Sequence, residues 1–75
     1  MRALSDMNAG EQGIVKRIDA DGELKQRLFS FGLRKGSVLQ VKATSMAKST
    51  IEIEVGTTLL ALRFEEAKRI EVEGL

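Results

Sequence analysis

The hydrophobic pattern of the chain changes period at two glycines. Residues 23–31 carry apolar side chains at helical spacing, whereas residues 37–43 alternate as a β-strand does. Gly32 follows the last helical position, and Gly36 stands four residues later. A glycine in either place can adopt the left-handed backbone conformation that ends a helix or turns the chain. The pattern therefore predicts a compact corner between one short helix and a strand.

The predicted helix covers residues 23–31, and Asp21 or Gly22 can cap its start. Its apolar positions i, i+4 and i+7 share one face, which we expect to pack on the core. These positions are Leu24, Leu28 and Phe31.

Short strands are predicted in five segments, each bounded by turn residues. They cover residues 13–19, 37–43, 50–55, 58–64 and 69–73, with one helical turn before the last. The third strand has the clearest pattern, and the two residues after it predict a hairpin to the fourth.

For two of these strands the pattern must be examined to decide which side chains face inward. In the first, either Val15 or Ile14 could face inward together with Ile18. In the second, alternation places Ala43 on the inner face, along with the aliphatic residues at positions 39 and 41.

These elements predict an all-β fold, a small five-stranded SH3-like barrel with one short helix inserted between strands one and two. Residues 1–75 are short enough to form one domain. We expect its core to include at least two of the three phenylalanines Phe29, Phe31 and Phe64, together with aliphatic side chains from the helix and strands. The predicted aliphatic members are Leu24, Leu28, Ile51, Ile53, Ile70 and Val72.

Composition narrows the possible functions. The chain has no Cys and no His, so thiolate chemistry and the commonest general base are absent. A net charge of +1 with both signs scattered along the chain disfavours nucleic acid as a partner. Residues 19–24 fail the spacing of a calcium loop. We therefore predict no catalytic residue, no cofactor and no metal ligand, and expect a soluble cytoplasmic protein because neither a signal peptide nor a membrane span is present.

One surface has the composition of a protein–protein contact. Phe29 lies on the flank of the predicted helix, where it either packs on the barrel or faces a partner. Aromatic and Arg side chains are enriched at binding hot spots. We predict a partner-binding surface formed by Arg27, Phe29, Arg34 and Lys35. Self-association stays open, because a small barrel can pair its edge strands.

The order of motifs along residues 4–72 resembles the FeoA family of bacterial ferrous iron uptake. The resemblance rests on GEQGIV at residues 10–15, on RLFSFGLRKGSVLQV at residues 27–41, and on LALRFEEAKRIEV at residues 60–72. It departs from the family at Lys35, often a proline there, and in the loop at residues 46–50. We expect the corner and that loop to be more mobile for this reason.

The resemblance implies a non-enzymatic accessory protein that binds and modulates the FeoB membrane transporter on its cytosolic side, which includes a GTP-binding domain. The resemblance assigns no catalytic or metal-binding role to any residue of this chain. A similar pattern occurs in the C-terminal SH3-like domain of metal-dependent repressors, which also carry a DNA-binding domain. Residues 10–18 also resemble the first strand of KOW-type modules, which leaves a small nucleic-acid-binding barrel as the alternative.

Overall fold

The computed structural model describes residues 2–45, 47 and 49–75. Met46 and Lys48, in the loop expected to be mobile, lie outside the described residues. None of the helices in the described ranges is long and apolar enough to cross a membrane. The elements are, in chain order, β1 (Arg2–Ala3), a 3-10 turn (Leu4–Asp6), β2 (Gln12–Ile18), α1 (Gly22–Ser30), β3 (Val38–Thr44), β4 (Thr50–Val55), β5 (Thr58–Arg63), α2 (Phe64–Ala67) and β6 (Ile70–Gly74).

All strand pairs are antiparallel, and the strand order is β1-β6-β2-β3-β4-β5. The all-β prediction is confirmed, with α1 between the first two long strands. Residues 2–45, 47 and 49–75 contain six strands rather than the five predicted, because β1 pairs with β6. Its two residues are too few to show an alternating pattern. The hairpin between β4 and β5 forms as expected, with Val55 opposite Thr58.

Two bulges decide which side chains face inward. The first interrupts the pairing of β2 with β6 between Val15 and Arg17. It places Val15 in the core and Ile18 partly buried against it, because the extra residue reverses the alternation. The second interrupts β3 against β4 between Val41 and Ala43. The predicted inward position of Ala43 is therefore wrong, and this residue is exposed.

The core is aliphatic and draws on every element except β1. Most of the predicted core residues are buried, although Leu24 is only partly so. Its members are Leu4, Met7, Val15, Leu28, Leu33, Leu39, Val41, Ile51, Ile53, Val55, Leu60, Leu62, Ala67, Ile70 and Val72.

The end of α1 corrects the prediction for Phe31. The helix ends at Ser30, and Gly32 adopts a φ of 85°. The N–H of Leu33 donates to the Leu28 carbonyl at 2.9 Å, and the N–H of Gly32 donates to the carbonyl of residue 29 at 2.9 Å. This is a Schellman motif, in which the apolar residue after the glycine packs back on the helix. Leu33 is therefore fully buried, while Phe31 is 39% exposed.

None of the three phenylalanines belongs to the core, so the expectation that at least two would do so is wrong. Phe29 is 51% exposed, Phe31 is exposed and Phe64 is half-buried. Aliphatic side chains from the strands, together with Leu28 and Leu33, already fill the interior. The aromatic surface is thus left at the outside of the barrel.

Candidate functional site

The helix-to-strand corner is hydrogen-bonded directly to β2. Gly36 has a φ of 94°, and its N–H donates to the Val15 carbonyl at 2.8 Å. The N–H of Val15 donates in turn to the Ser37 carbonyl at 2.8 Å. These two bonds hold Lys35 beside the exposed half of β2. The two glycines therefore set where the end of α1 sits on the sheet.

An open groove of about 480 Å³ lies between α1, the corner and β2. The exposed ring of Phe29 and the half-buried side chain of Ile18 form its apolar part. Cationic side chains provide the rest, and the ammonium group of Lys25 lies 5.7 Å from the centroid of the Phe29 ring, within the range of a cation–π contact. The groove is lined by Lys16, Arg17, Ile18, Lys25, Phe29 and Lys35.

The charge of the groove is of one sign. Among the described residues, none of the three lysines Lys16, Lys25 and Lys35 takes part in an ion pair. Arg17 faces Glu71 at 3.7 Å, but Arg17 is exposed and Glu71 is only partly buried, and ion pairs at the surface contribute little. The groove consequently offers a positive potential beside an apolar surface, a combination suited to binding rather than catalysis.

The structure brings together only part of the predicted partner surface. Phe29 and Lys35 line the groove. Arg27 instead turns toward α2, where its Nη2 lies 2.9 Å from Oε1 of Glu66. Arg34 is exposed in the corner, and its backbone N–H donates to the Ser37 hydroxyl at 3.0 Å. The role of all four residues in binding stays a prediction.

Glu66 joins the two helices. Its carboxylate accepts the backbone N–H of Arg63 at 2.9 Å and the guanidinium of Arg27. Partial burial raises the pKa of Glu66, but the hydrogen bonds from Arg63 and Arg27 and the charges of both arginines outweigh it and lower the pKa below its ordinary value of 4.5. Glu66 is thus ionised at neutral pH and holds Arg27 away from the groove.

Four groove residues were missed by the sequence analysis. Lys16, Arg17 and Ile18 belong to β2, and Lys25 belongs to the first turns of α1. Lys16 and Arg17 are adjacent cations in the sequence. The bulge after Val15 changes the alternation of β2, so the sequence does not show which of the two lies on the same face as the corner. The hydrogen bonds between the corner and β2, and the anchoring of α1 through Leu28, are needed to bring them together.

Neither an enclosed cavity with acidic pairs nor a metal site stands out in the described ranges. No group of three or more His, Cys, Asp or Glu residues is placed there to hold a metal ion. Ser5 is the single buried polar residue in that part of the chain. The fold and groove define a small β-barrel domain with an open, cationic and partly apolar surface.

The chain belongs to the FeoA family. The FeoA domain family matches residues 2–74. Fe(2+) transport protein A of Campylobacter jejuni is 39% identical over 69 residues, which cover 92% of this chain and 93% of the relative. In Porphyromonas gingivalis, a fusion of Fe(2+) transport protein A with the Fe(2+) transporter FeoB is 26% identical over 70 residues, covering 93% of this chain and 8% of the fusion.

Solved structures agree with this family and with the SH3-like barrel. A crystal structure of an iron uptake regulatory protein, FeoA, has a TM-score of 0.85 at 34% identity and covers 99% of this chain and 96% of the other. Stenotrophomonas maltophilia FeoA, complexed with zinc and described as a prokaryotic SH3 domain protein, has a TM-score of 0.83 at 27% identity, with 97% and 91% coverage. The family is one of ferrous iron transport proteins.

Proposed function

We propose that this protein is a non-enzymatic accessory protein of ferrous iron uptake that binds the cytosolic part of a FeoB transporter and modulates it from the cytoplasm. The observation that carries this proposal is the Porphyromonas gingivalis fusion, in which a homologous segment and FeoB form one polypeptide. When two domains are joined in one chain, each is present at a high effective concentration near the other. Contacts that would be weak between separate molecules can then form. The fusion therefore supports the proposal that the two proteins act together.

The groove provides the surface for this contact. Phe29 is 51% exposed and lines the groove together with cations, which gives this part of α1 the character of a binding hot spot. Its position is well defined, because Leu28 anchors α1 in the core and the corner is hydrogen-bonded to β2. No acidic residue lines the groove, and the exposed aromatic ring beside cations is in keeping with a role in binding.

The test is a calorimetric titration of the protein against the cytosolic GTP-binding part of its cognate FeoB, with GTP hydrolysis measured in parallel. We expect saturable binding that Phe29→Ala weakens about tenfold, whereas Phe31→Ala leaves it within about twofold. Phe31 is the matched control, because it is also an exposed phenylalanine at the end of α1 but does not line the groove. No saturable binding would contradict the proposed function, and equal losses from both variants would contradict only the assignment of the contact to the groove.

A further inference from the structure

The groove combines apolar surface from Phe29 and Ile18 with cationic side chains and no acidic ones. We propose that it is the docking site for an acidic peptide segment that inserts one large apolar side chain against Phe29. Resting on the proposed function, the segment would belong to the cytosolic part of FeoB. The apolar contact would supply attraction, and carboxylates on either side of the inserted residue would set its position against the lysines.

The positive charge of the groove is the first observation that supports an acidic ligand. The chain as a whole is nearly balanced, with 12 basic and 11 acidic residues. Four of the six residues lining the groove are nevertheless cationic, and none is acidic. Because Lys16, Lys25 and Lys35 have no ion-pair partner among the described residues, an incoming carboxylate would displace no existing pair with them. The groove is thus complementary to an anionic ligand.

The apolar surface of the groove is the second observation that supports a peptide ligand. Phe29 exposes half of its surface, and Ile18 is only partly buried. Both lie in a groove of about 480 Å³, which has room for an inserted side chain together with part of its backbone. Burying a large apolar side chain there removes surface from water on both partners. A ligand carrying charge alone would leave this part of the groove unused.

The loop joining the two walls of the groove argues for a short peptide rather than a nucleic acid. Asp19 and Asp21 lie in this loop, and both line, together with Ala20 and Arg69, a second hollow of about 320 Å³. A phosphodiester chain running along the groove past this end would meet these carboxylates. Nucleic-acid-binding barrels instead carry a continuous basic stripe that follows the backbone. A short acidic peptide can bind within the groove without reaching the carboxylates of this loop.

The experiment uses charge reversals with a matched control. Lys25→Glu and Lys35→Glu change the groove, while Lys68→Glu makes the same change in net charge at an exposed residue outside it. Each protein is titrated at low salt with the cytosolic part of FeoB, with overlapping peptides from it and their Gln and Asn counterparts, and with mixed RNA. Amide chemical shifts report where each probe binds, and circular dichroism confirms that each variant is folded.

We expect each groove reversal to weaken binding of the FeoB part about tenfold, and Lys68→Glu to weaken it less than about threefold. At least one acidic peptide should shift the amides of the groove, and its Gln and Asn counterpart should not. Binding of FeoB that responds equally to all three reversals would overturn this inference and leave the proposed function standing. No binding of FeoB would overturn both, and groove-dependent binding of RNA without any acidic peptide would replace the peptide by a nucleic acid.

Discussion

Two neighbouring residues of α1 are expected to respond in opposite ways to truncation. Leu28 is fully buried in the core, whereas Phe29 is 51% exposed in the groove. Leu28→Ala should therefore reduce stability with an indirect effect on binding, and Phe29→Ala should reduce binding with little effect on stability. The comparison tests the orientation of α1, on which the assignment of the groove depends.

The magnitudes follow from burial. Replacing a buried Leu by Ala costs about 2–5 kcal/mol through lost burial and the cavity left behind. For 75 residues, the whole free energy of unfolding is about 4–11 kcal/mol, so Leu28→Ala removes a large part of it. Burying a Phe completely stabilises by about 1.5–3 kcal/mol, and roughly half of that applies to Phe29. The higher helix propensity of Ala offsets about 0.5 kcal/mol, which leaves a loss of about 1 kcal/mol or less.

Urea denaturation followed by circular dichroism measures both values. With an m-value of about 1 kcal/mol/M for a small domain, Leu28→Ala should lower the midpoint by about 2 M or more, and Phe29→Ala by about 1 M or less. Leu28→Val provides a milder version should the Ala variant be unfolded in water. Equal losses from Leu28→Ala and Phe29→Ala would refute the orientation of α1 and the assignment of Phe29 to a binding surface.

Two further predictions concern the contacts that position α1. Glu66→Gln should cost about 0.5–1 kcal/mol at neutral pH, because it removes a charged acceptor shared by Arg63 and Arg27. The pKa of Glu66 is lowered in the folded state. The difference in free energy of unfolding between wild type and Glu66→Gln is therefore fully present above pH 4.5 and disappears as the pH falls through the lower folded-state pKa. A difference that stays constant in acid would contradict the ion pair. Gly36→Ala should destabilise by about 1–2 kcal/mol because of the positive φ, while D-Ala, introduced by chemical synthesis, should not. A Cβ at Gly36 would meet no heavy atom within 4 Å, so a steric clash is not the expected cause of the destabilisation. If L-Ala and D-Ala reduce the free energy of unfolding equally in urea denaturation, backbone strain is ruled out as the cause.

Local pattern predicted most of the elements. The alternation in β4 reproduced its bounds, Thr50–Val55, and the helix was displaced by one residue at each end, since α1 covers Gly22–Ser30. Both corner glycines adopt the positive φ that the change of period indicated. These features depend on neighbours along the chain, because turn chemistry and side-chain period are properties of short segments.

The groove was only half visible in the sequence. Phe29 and Lys35 were identified, but Arg27 was grouped with them although it turns to Glu66 on α2. Its direction depends on a residue 39 positions later in the chain, which no local pattern can indicate. Phe31 was assigned to the core for a related reason, since helical spacing does not show that the chain reverses and buries Leu33 in its place.

The sequence by itself determined the short alternating strands, the glycine corner and the family to which the chain belongs. Tertiary structure decided which side chains meet. The bulge in β2, the anchoring of α1 through Leu28 and the hydrogen bonds between the corner and β2 bring Lys16 and Arg17 into one groove with Phe29. Whether a charged side chain lines a binding surface depends on such long-range contacts, because the same residue types are scattered along the whole chain.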